Sequence, residues 1–248
     1  EYFGSIDNIA INKIELLKSL PENGFSFINM DSSYLENIDL NCKNITYGFS
    51  GKYDFTGKFL NDYVEINQNL IKLPCPNMAI AQNYLAAYSI ASTLGISEDI
   101  IIVQLENALI YPGRGEIIKK DNVTFIDDTY NSNFVSCANG IKSIVNMNGN
   151  KKILVLGDMH ELGERTESEH VKLGKLIDSM RIDAVFGFGQ YIKFTLDAIK
   201  TKKILKEHYE VKDELVNALK KYQNIGDVIY VKGSRCMKME EIIYGKVK

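Results

Sequence analysis

The four cysteines (Cys42, Cys75, Cys137 and Cys236) are scattered along 248 residues, with neither a CxxC pair nor a zinc-ligand spacing. A disulfide framework is therefore disfavoured, and reduced thiols in a cytosolic protein fit the pattern better. A net charge of −3 gives no reason to expect nucleic acid or an anionic membrane as the main partner. No apolar run approaches a membrane span and no signal peptide is visible, so a cytoplasmic location is expected. Internal repeats and low-complexity segments are also absent. The phosphate-binding pattern GxxxxGK[ST] occurs nowhere. His160 and His170 stand ten residues apart, which fits no standard metal spacing, so solvated or packing histidines are expected.

What is present describes an ordinary globular chain, 45% hydrophobic and 25% charged. Its length suits one large or two ordinary domains. In the first half, Ser5 to Leu20 reads as a helix, with Ser5 as N-cap and Pro21 beyond its end. Phe25 to Met30 and Asn44 to Phe49 read as strands, and the alternation over 53–73 predicts a hairpin or meander. Ile80, Tyr84, Ala87, Tyr88, Ala91 and Leu94 recur at helical spacing before Gly95, and a shorter helix, Glu98 to Leu109, follows Ser97.

From Val123 the pattern alternates. Strands are predicted over 123–127, 152–156, 184–188, 204–207 and 228–231, with helices over 135–147, 167–180, 191–200 and 212–222. Such alternation argues for a parallel, doubly wound sheet. The division between the two domains is placed at 126/127.

Several stretches carry candidate chemistry. VTFIDDTYNSN (123–133) is a buried strand that breaks into Asp127, Asp128, Tyr130, Asn131 and Asn133. It reads either as a turn or as a site beyond a strand's carboxyl end. PGRGE (112–116) sets Arg114 between glycines, where a guanidinium fork suits phosphate oxygens; a glycine-rich turn is the plainer reading. LVLGDMHELG (154–163) places Asp158 after a strand, and VKGSR (231–235) places Lys232, Gly233 and Ser234 between a strand and a helix, Met239 to Tyr244. The latter makes an anion cradle or a basic turn. Lys13 lies on the apolar side of the first helix with Ile9 and Leu17. It either snorkels to water or is partly buried and reactive as its neutral amine.

Taken in order, GRGE, IDDTYNSN, LGDMHELGERTESEH and VKGSRCMKME resemble the Mur ligases of peptidoglycan synthesis over most of the chain. Within that family they look most like the branch that adds D-Ala-D-Ala to UDP-MurNAc-tripeptide. The resemblance implies an α/β fold, with part of a P-loop-type central domain (1–126) followed by a Rossmann-like doubly wound domain (127–248). It implies ATP-dependent amide formation through an acyl phosphate, with ATP and Mg²⁺ as cofactors and a monomeric enzyme. It also revises Lys13: the IAINK context is similar to that of a family lysine that is carbamylated and helps hold magnesium. Arg114, Asp127 or Asp128, Tyr130, Asn131 and Asn83 would then serve ATP. Asn133, Asp158, Lys232, Gly233 and Ser234 would serve substrate or the domain junction.

Three departures stand out. The family's phosphate-binding loop and N-terminal substrate domain are not in this sequence, nor is a metal-binding histidine expected just before Glu1, so the chain is expected to be a fragment inactive by itself. Where the family carries GxHNxxN to hold adenine, this chain reads Asn77, Ala79, Ile80 and Asn83. Phe134 replaces an expected proline. A sister ligase using another amino acid, and a degenerate paralogue that binds nucleotide or peptide without catalysis, remain alternatives.

Overall fold

A computed structural model of the chain describes residues 4–35 and 38–245. The chain divides into two compact units, Glu1–Leu109 and Ile110–Lys248.

The first unit begins with helix α1 (Ile6–Lys18), capped as expected by Ser5, whose Oγ accepts the Asn8 N–H at 3.1 Å. No residue of α1 is fully buried: on the side predicted around Lys13, Ile9 is exposed and Leu17 is half-buried. Strands β1 (Phe25–Asn29), β2 (Lys43–Gly48), β3 (Phe55–Phe59), β4 (Tyr63–Ile66) and β5 (Asn69–Lys72) form one sheet in that spatial order. The first three run parallel, and β3 to β5 make the antiparallel meander predicted over 53–73.

Helix α2 (Met78–Thr93) covers this sheet with Ala81, Tyr84, Leu85 and Tyr88, packed with Val64, Ile66 and Ile71. Gly95, at φ +83°, ends α2 in a Schellman arrangement, with Ile96 N–H on Ala91 O and Gly95 N–H on Ser92 O. Helix α3 (Glu98–Glu106) stops short of the predicted Leu109, because Asn107 closes it with its side-chain amide on Val103 O at 2.7 Å. No helix among the described residues is long and apolar enough to cross a membrane.

The second unit contains strands β6 (Glu116–Lys120) and β7 (Val123–Asp127), helix α4 (Phe134–Val145), β8 (Lys152–Gly157), α5 (Thr166–Asp178), β9 (Ala184–Phe188) and α6 (Ile192–Ala198). It continues with β10 (Leu205–Tyr209), α7 (Lys212–Leu219), β11 (Val228–Lys232) and a single turn, α8 (Glu241–Tyr244). The six-stranded sheet has the order β10-β9-β8-β11-β7-β6, parallel throughout except for β6. Side chains alternate across it: Leu154 and Leu156 join α4, α5 and α6 on one face, while Ile153 and Val155 join α7 and α8 on the other. The doubly wound architecture expected from the alternation is present.

The division between the units falls earlier than the expected 126/127. Strand β6 was not anticipated, and it pairs with β7 through a tight hairpin whose Asp121 and Asn122 take φ +50° and +63°. The pairing draws the whole stretch from Ile110 into the second sheet, so VTFIDDTYNSN is internal to the second unit.

Candidate active site

Because β7, β11 and β8 are parallel neighbours, their carboxyl ends bring together the loops that begin at Asp128, Gly233 and Asp158. Open α/β sheets bind ligands at this edge. Backbone bonds close the gap between the loops: Asp128 N–H donates to Val231 O, and Ser234 N–H donates to Asp158 O. A Cβ on Gly233 would lie 2.6 Å from Met239 Cγ and 3.2 Å from Gly157 Cα, so glycine is what allows this approach.

The two adjacent aspartates have different environments. Asp127 is 1% exposed. Its Oδ1 accepts from Thr129 N–H and from Thr129 Oγ1 at 2.6 Å, and its Oδ2 accepts from the Tyr244 hydroxyl at 3.0 Å. Burial and the neighbouring Asp127 push the Tyr244 phenol above its ordinary range, so it remains a donor. Asp128 presents its Oδ2 to the Tyr230 hydroxyl at 2.6 Å and to Lys232 Nζ at 2.7 Å. Burial pushes the Asp128 carboxyl up, and the Lys232 ammonium pulls against it. Beneath this pair, burial raises the Cys137 thiol to about 11, and the thiol contacts Ser132 Oγ at 3.1 Å.

In the β8 loop, Asp158 caps the α6 turn rather than facing solvent. Its Oδ2 accepts Gln190 N–H at 2.9 Å and its Oδ1 accepts Ile192 N–H at 2.7 Å. His170 is fully buried and holds the same loop: Nε2 accepts Met159 N–H at 3.1 Å, and Nδ1 faces Thr166 O at 2.7 Å. Those partners require the neutral ring protonated on Nδ1. Of the two roles expected, solvated or packing, His170 takes the second. His160 packs edge-on to Tyr191, and its backbone N–H donates to Ser234 Oγ at 2.8 Å.

The Gly-Arg-Gly loop docks on the residues after β7. Tyr130 N–H donates to Gly113 O and Gly115 N–H to Asp127 O, while Gly113 takes φ +77°. The Arg114 guanidinium lies 3.8 Å from the centroid of the Tyr130 ring. Beside them is a cavity of about 300 Å³, walled by Tyr111, Tyr130, Tyr244, Arg235 and Glu240. Glu240 pairs with Arg235 at 3.0 Å through Oε1, and its Oε2 is buried without a hydrogen-bond partner among the described residues.

The second unit thus gathers Arg114, Asp127, Asp128, Tyr130, Asp158, Lys232, Gly233 and Ser234 at or beside one sheet edge. Asn131 and Asn133 act locally: Asn131 Oδ1 accepts Ser132 N–H, and Asn133 caps α4 in a reciprocal bond with Ser136. Lys13 and Asn83 belong to the first unit, each exposed on its helix. Asn77 caps α2 by accepting Ala79 N–H at 2.8 Å. Sequence reasoning missed Tyr230, Tyr244 and Glu240. The available signal for Tyr230 was a hydroxyl in the otherwise aliphatic strand VIYV.

The second unit is thus a doubly wound α/β domain with three polar loops meeting at the carboxyl edge of its sheet. Residues 1–91 match the Mur ligase middle domain, and residues 113–235 match the Mur ligase, glutamate ligase domain. The chain belongs to the Mur ligase family. The UDP-N-acetylmuramoyl-tripeptide–D-alanyl-D-alanine ligase of Bacillus subtilis is 32% identical over 251 residues, covering 97% of this chain and 55% of that protein. The ligase of the same name from Escherichia coli is 31% identical, covering 98% of this chain and 56% of its own length. The crystal structure of the MurF ligase of Thermotoga maritima in complex with ADP superposes with a TM-score of 0.85 at 27% identity, over 99% of this chain and 58% of that one. The chain therefore spans about half the length of the curated relatives it matches.

Proposed function

We propose that this chain is part of an ATP-dependent ligase that joins D-Ala-D-Ala to UDP-MurNAc-tripeptide in peptidoglycan synthesis, working in the cytoplasm. The observation that carries the reading is the likeness to D-alanyl-D-alanine ligases along nearly the whole chain, together with the convergence of its distinctive motifs at one sheet edge. In the proposed reaction the tripeptide carboxylate attacks the γ-phosphorus of ATP, and ADP leaves. The dipeptide amine then attacks the acyl carbon, and phosphate departs as the amide forms. Charge gathers first on phosphoryl oxygens and then on a tetrahedral centre, so fixed cations stabilise both stages.

Arg114 would grip phosphate oxygens, its guanidinium already oriented by the Tyr130 ring. Of the two aspartates, Asp128 is the better nucleotide contact, because both oxygens of Asp127 are occupied within the fold. Tyr130 would help close this side of the ATP site. Ser234 and the Gly233 backbone would face phosphate or the incoming dipeptide.

Among the described residues no three His, Cys, Asp or Glu side chains cluster to hold a metal. A magnesium ion bound with ATP would also be held by phosphate oxygens, as such ions commonly are. Lys13, which is exposed rather than partly buried, would as a carbamate offer anionic oxygen to such an ion. The ion would supply charge neutralisation at the transferring phosphoryl group.

A second reading, a paralogue that binds without catalysis, draws on the residues opening α2, where Ala79 and Ile80 stand in place of the family's adenine contacts. The two are separated by incubating the complete gene product with ATP, Mg²⁺, UDP-MurNAc-tripeptide and a panel of amines. A nucleotide product heavier by one D-Ala-D-Ala supports the ligase. A product with a different amine means a sister ligase, and binding without product supports the paralogue.

A further inference from the structure

We infer that Lys232 is a positioning residue rather than a substrate contact: it anchors one oxygen of Asp128 and leaves the other available to the nucleoside part of ATP. The inference rests on the reading of Asp128 as a nucleotide contact. Lys232 was expected to face phosphate or dipeptide, and its surroundings argue otherwise. Only 2% of its side chain is exposed. Its Nζ donates to Asp128 Oδ2 at 2.7 Å and to the Asp128 carbonyl at 3.3 Å, so the ammonium grips both the side chain and the main chain of one residue. To touch a substrate it would have to abandon a buried carboxylate.

The arrangement around Asp128 is asymmetric. Tyr230 and Lys232, both from β11, donate to Oδ2, whereas Oδ1 receives no hydrogen bond from a described residue and is not a buried orphan. Two donors on one oxygen restrain the carboxylate and leave the acceptor capacity of Oδ1 unused by the described residues. An ionised carboxylate repels phosphate and accepts from hydroxyl or amino donors, so the matching part of ATP is its nucleoside. Lys232 has a second effect through the same contact. Burial and Asp127 work against ionisation of Asp128, and the lysine is the cation that opposes them. The other titratable groups facing this carboxylate are the Tyr230 phenol, a donor to it, and the buried Cys137 thiol, neutral at physiological pH.

The test uses the complete gene product and three variants, Asp128→Asn, Lys232→Met and the double substitution. Values of kcat and of KM for ATP, dipeptide and UDP-substrate are measured from about pH 5.5 to about pH 8. Asp128→Asn is expected to raise the ATP KM about tenfold, the scale of one charge-assisted hydrogen bond. Lys232→Met should raise the ATP KM similarly, leave the KM for the dipeptide and the UDP-substrate unchanged, and move the acid limb for ATP upward by about one pH unit. The double variant should match Asp128→Asn alone, because the lysine acts only through the aspartate. It also removes the unpaired buried charge, so it decides the matter if Lys232→Met does not fold. A raised KM for the dipeptide or UDP-substrate in any variant lacking Lys232, or an ATP KM in the double variant well beyond that of Asp128→Asn, would overturn the positioning role alone. An unchanged ATP KM in Asp128→Asn would remove the nucleotide reading of Asp128, and this inference with it.

Discussion

His170 offers the sharpest test of how the β8 loop is held. The ring is fully buried, accepts the Met159 N–H and donates to Thr166 O. Burial lowers its pKa from the ordinary 6.5, while Thr166 O, Asp158 and Glu169 favour the cation and His160 opposes it. The folded chain therefore resists a proton that the unfolded chain accepts near pH 6.5. Stability from the neutral ring is fully present above about pH 6.5 and is lost as pH falls through that value toward the lowered native pKa. At about pH 5.5 the loss is up to about 1.4 kcal/mol, the work of one pH unit on one group. Urea unfolding followed by circular dichroism at about pH 7.5 and pH 5.5 measures it. His170→Gln, which keeps an acceptor and a donor but cannot titrate, should lose less on acidification by about that amount. His170→Ala should cost about 2–4 kcal/mol at neutral pH, from two lost hydrogen bonds and an orphaned Met159 N–H. An equal acid loss in wild type and His170→Gln would refute the reasoning.

Other perturbations probe other parts of the site. A Cβ on Gly140 would fall 2.0 Å from the Tyr230 hydroxyl; Gly140→Ala should therefore destabilise by about 1–2 kcal/mol, overpacking outweighing the gain in helix propensity, as thermal unfolding would read. Asp158→Ala removes the acceptor of two backbone N–H groups at the start of α6, and urea titration should show a cost of about 2 kcal/mol. Lys13→Ala in the complete protein should abolish turnover, with partial rescue by short-chain carboxylic acids; full activity in that variant would remove the carbamate assignment.

Legibility in the sequence followed the strength of local signals. Most of the second sheet was readable because β7, β8, β9 and β11 are mainly apolar runs separated by helix-period segments, and Ser5 announced α1 by its capping chemistry. Strand β6 was not, since three of its five residues (Glu116, Lys119 and Lys120) are charged and its partner is set by the Asp121-Asn122 turn. Missing that hairpin also displaced the domain division. In the site, residue types near strand ends were legible, but their division of labour was not. Asp127 and Asp128 are chemically identical in a sequence, and only the packing of Tyr244 against one and Lys232 against the other distinguishes them. Lys13 shows the opposite case: an apolar side is visible in the sequence, yet no described residue of α1 is fully buried.

The most direct test of the ligase follows oxygen. The complete gene product would be supplied with ATP, Mg²⁺, D-Ala-D-Ala and UDP-MurNAc-tripeptide carrying heavy oxygen in the carboxylate to be joined. If that carboxylate attacks the γ-phosphorus and the dipeptide amine then displaces phosphate, the released phosphate carries the heavy label, and its release depends on the dipeptide. Unlabelled phosphate, or phosphate released equally without D-Ala-D-Ala, would contradict the account.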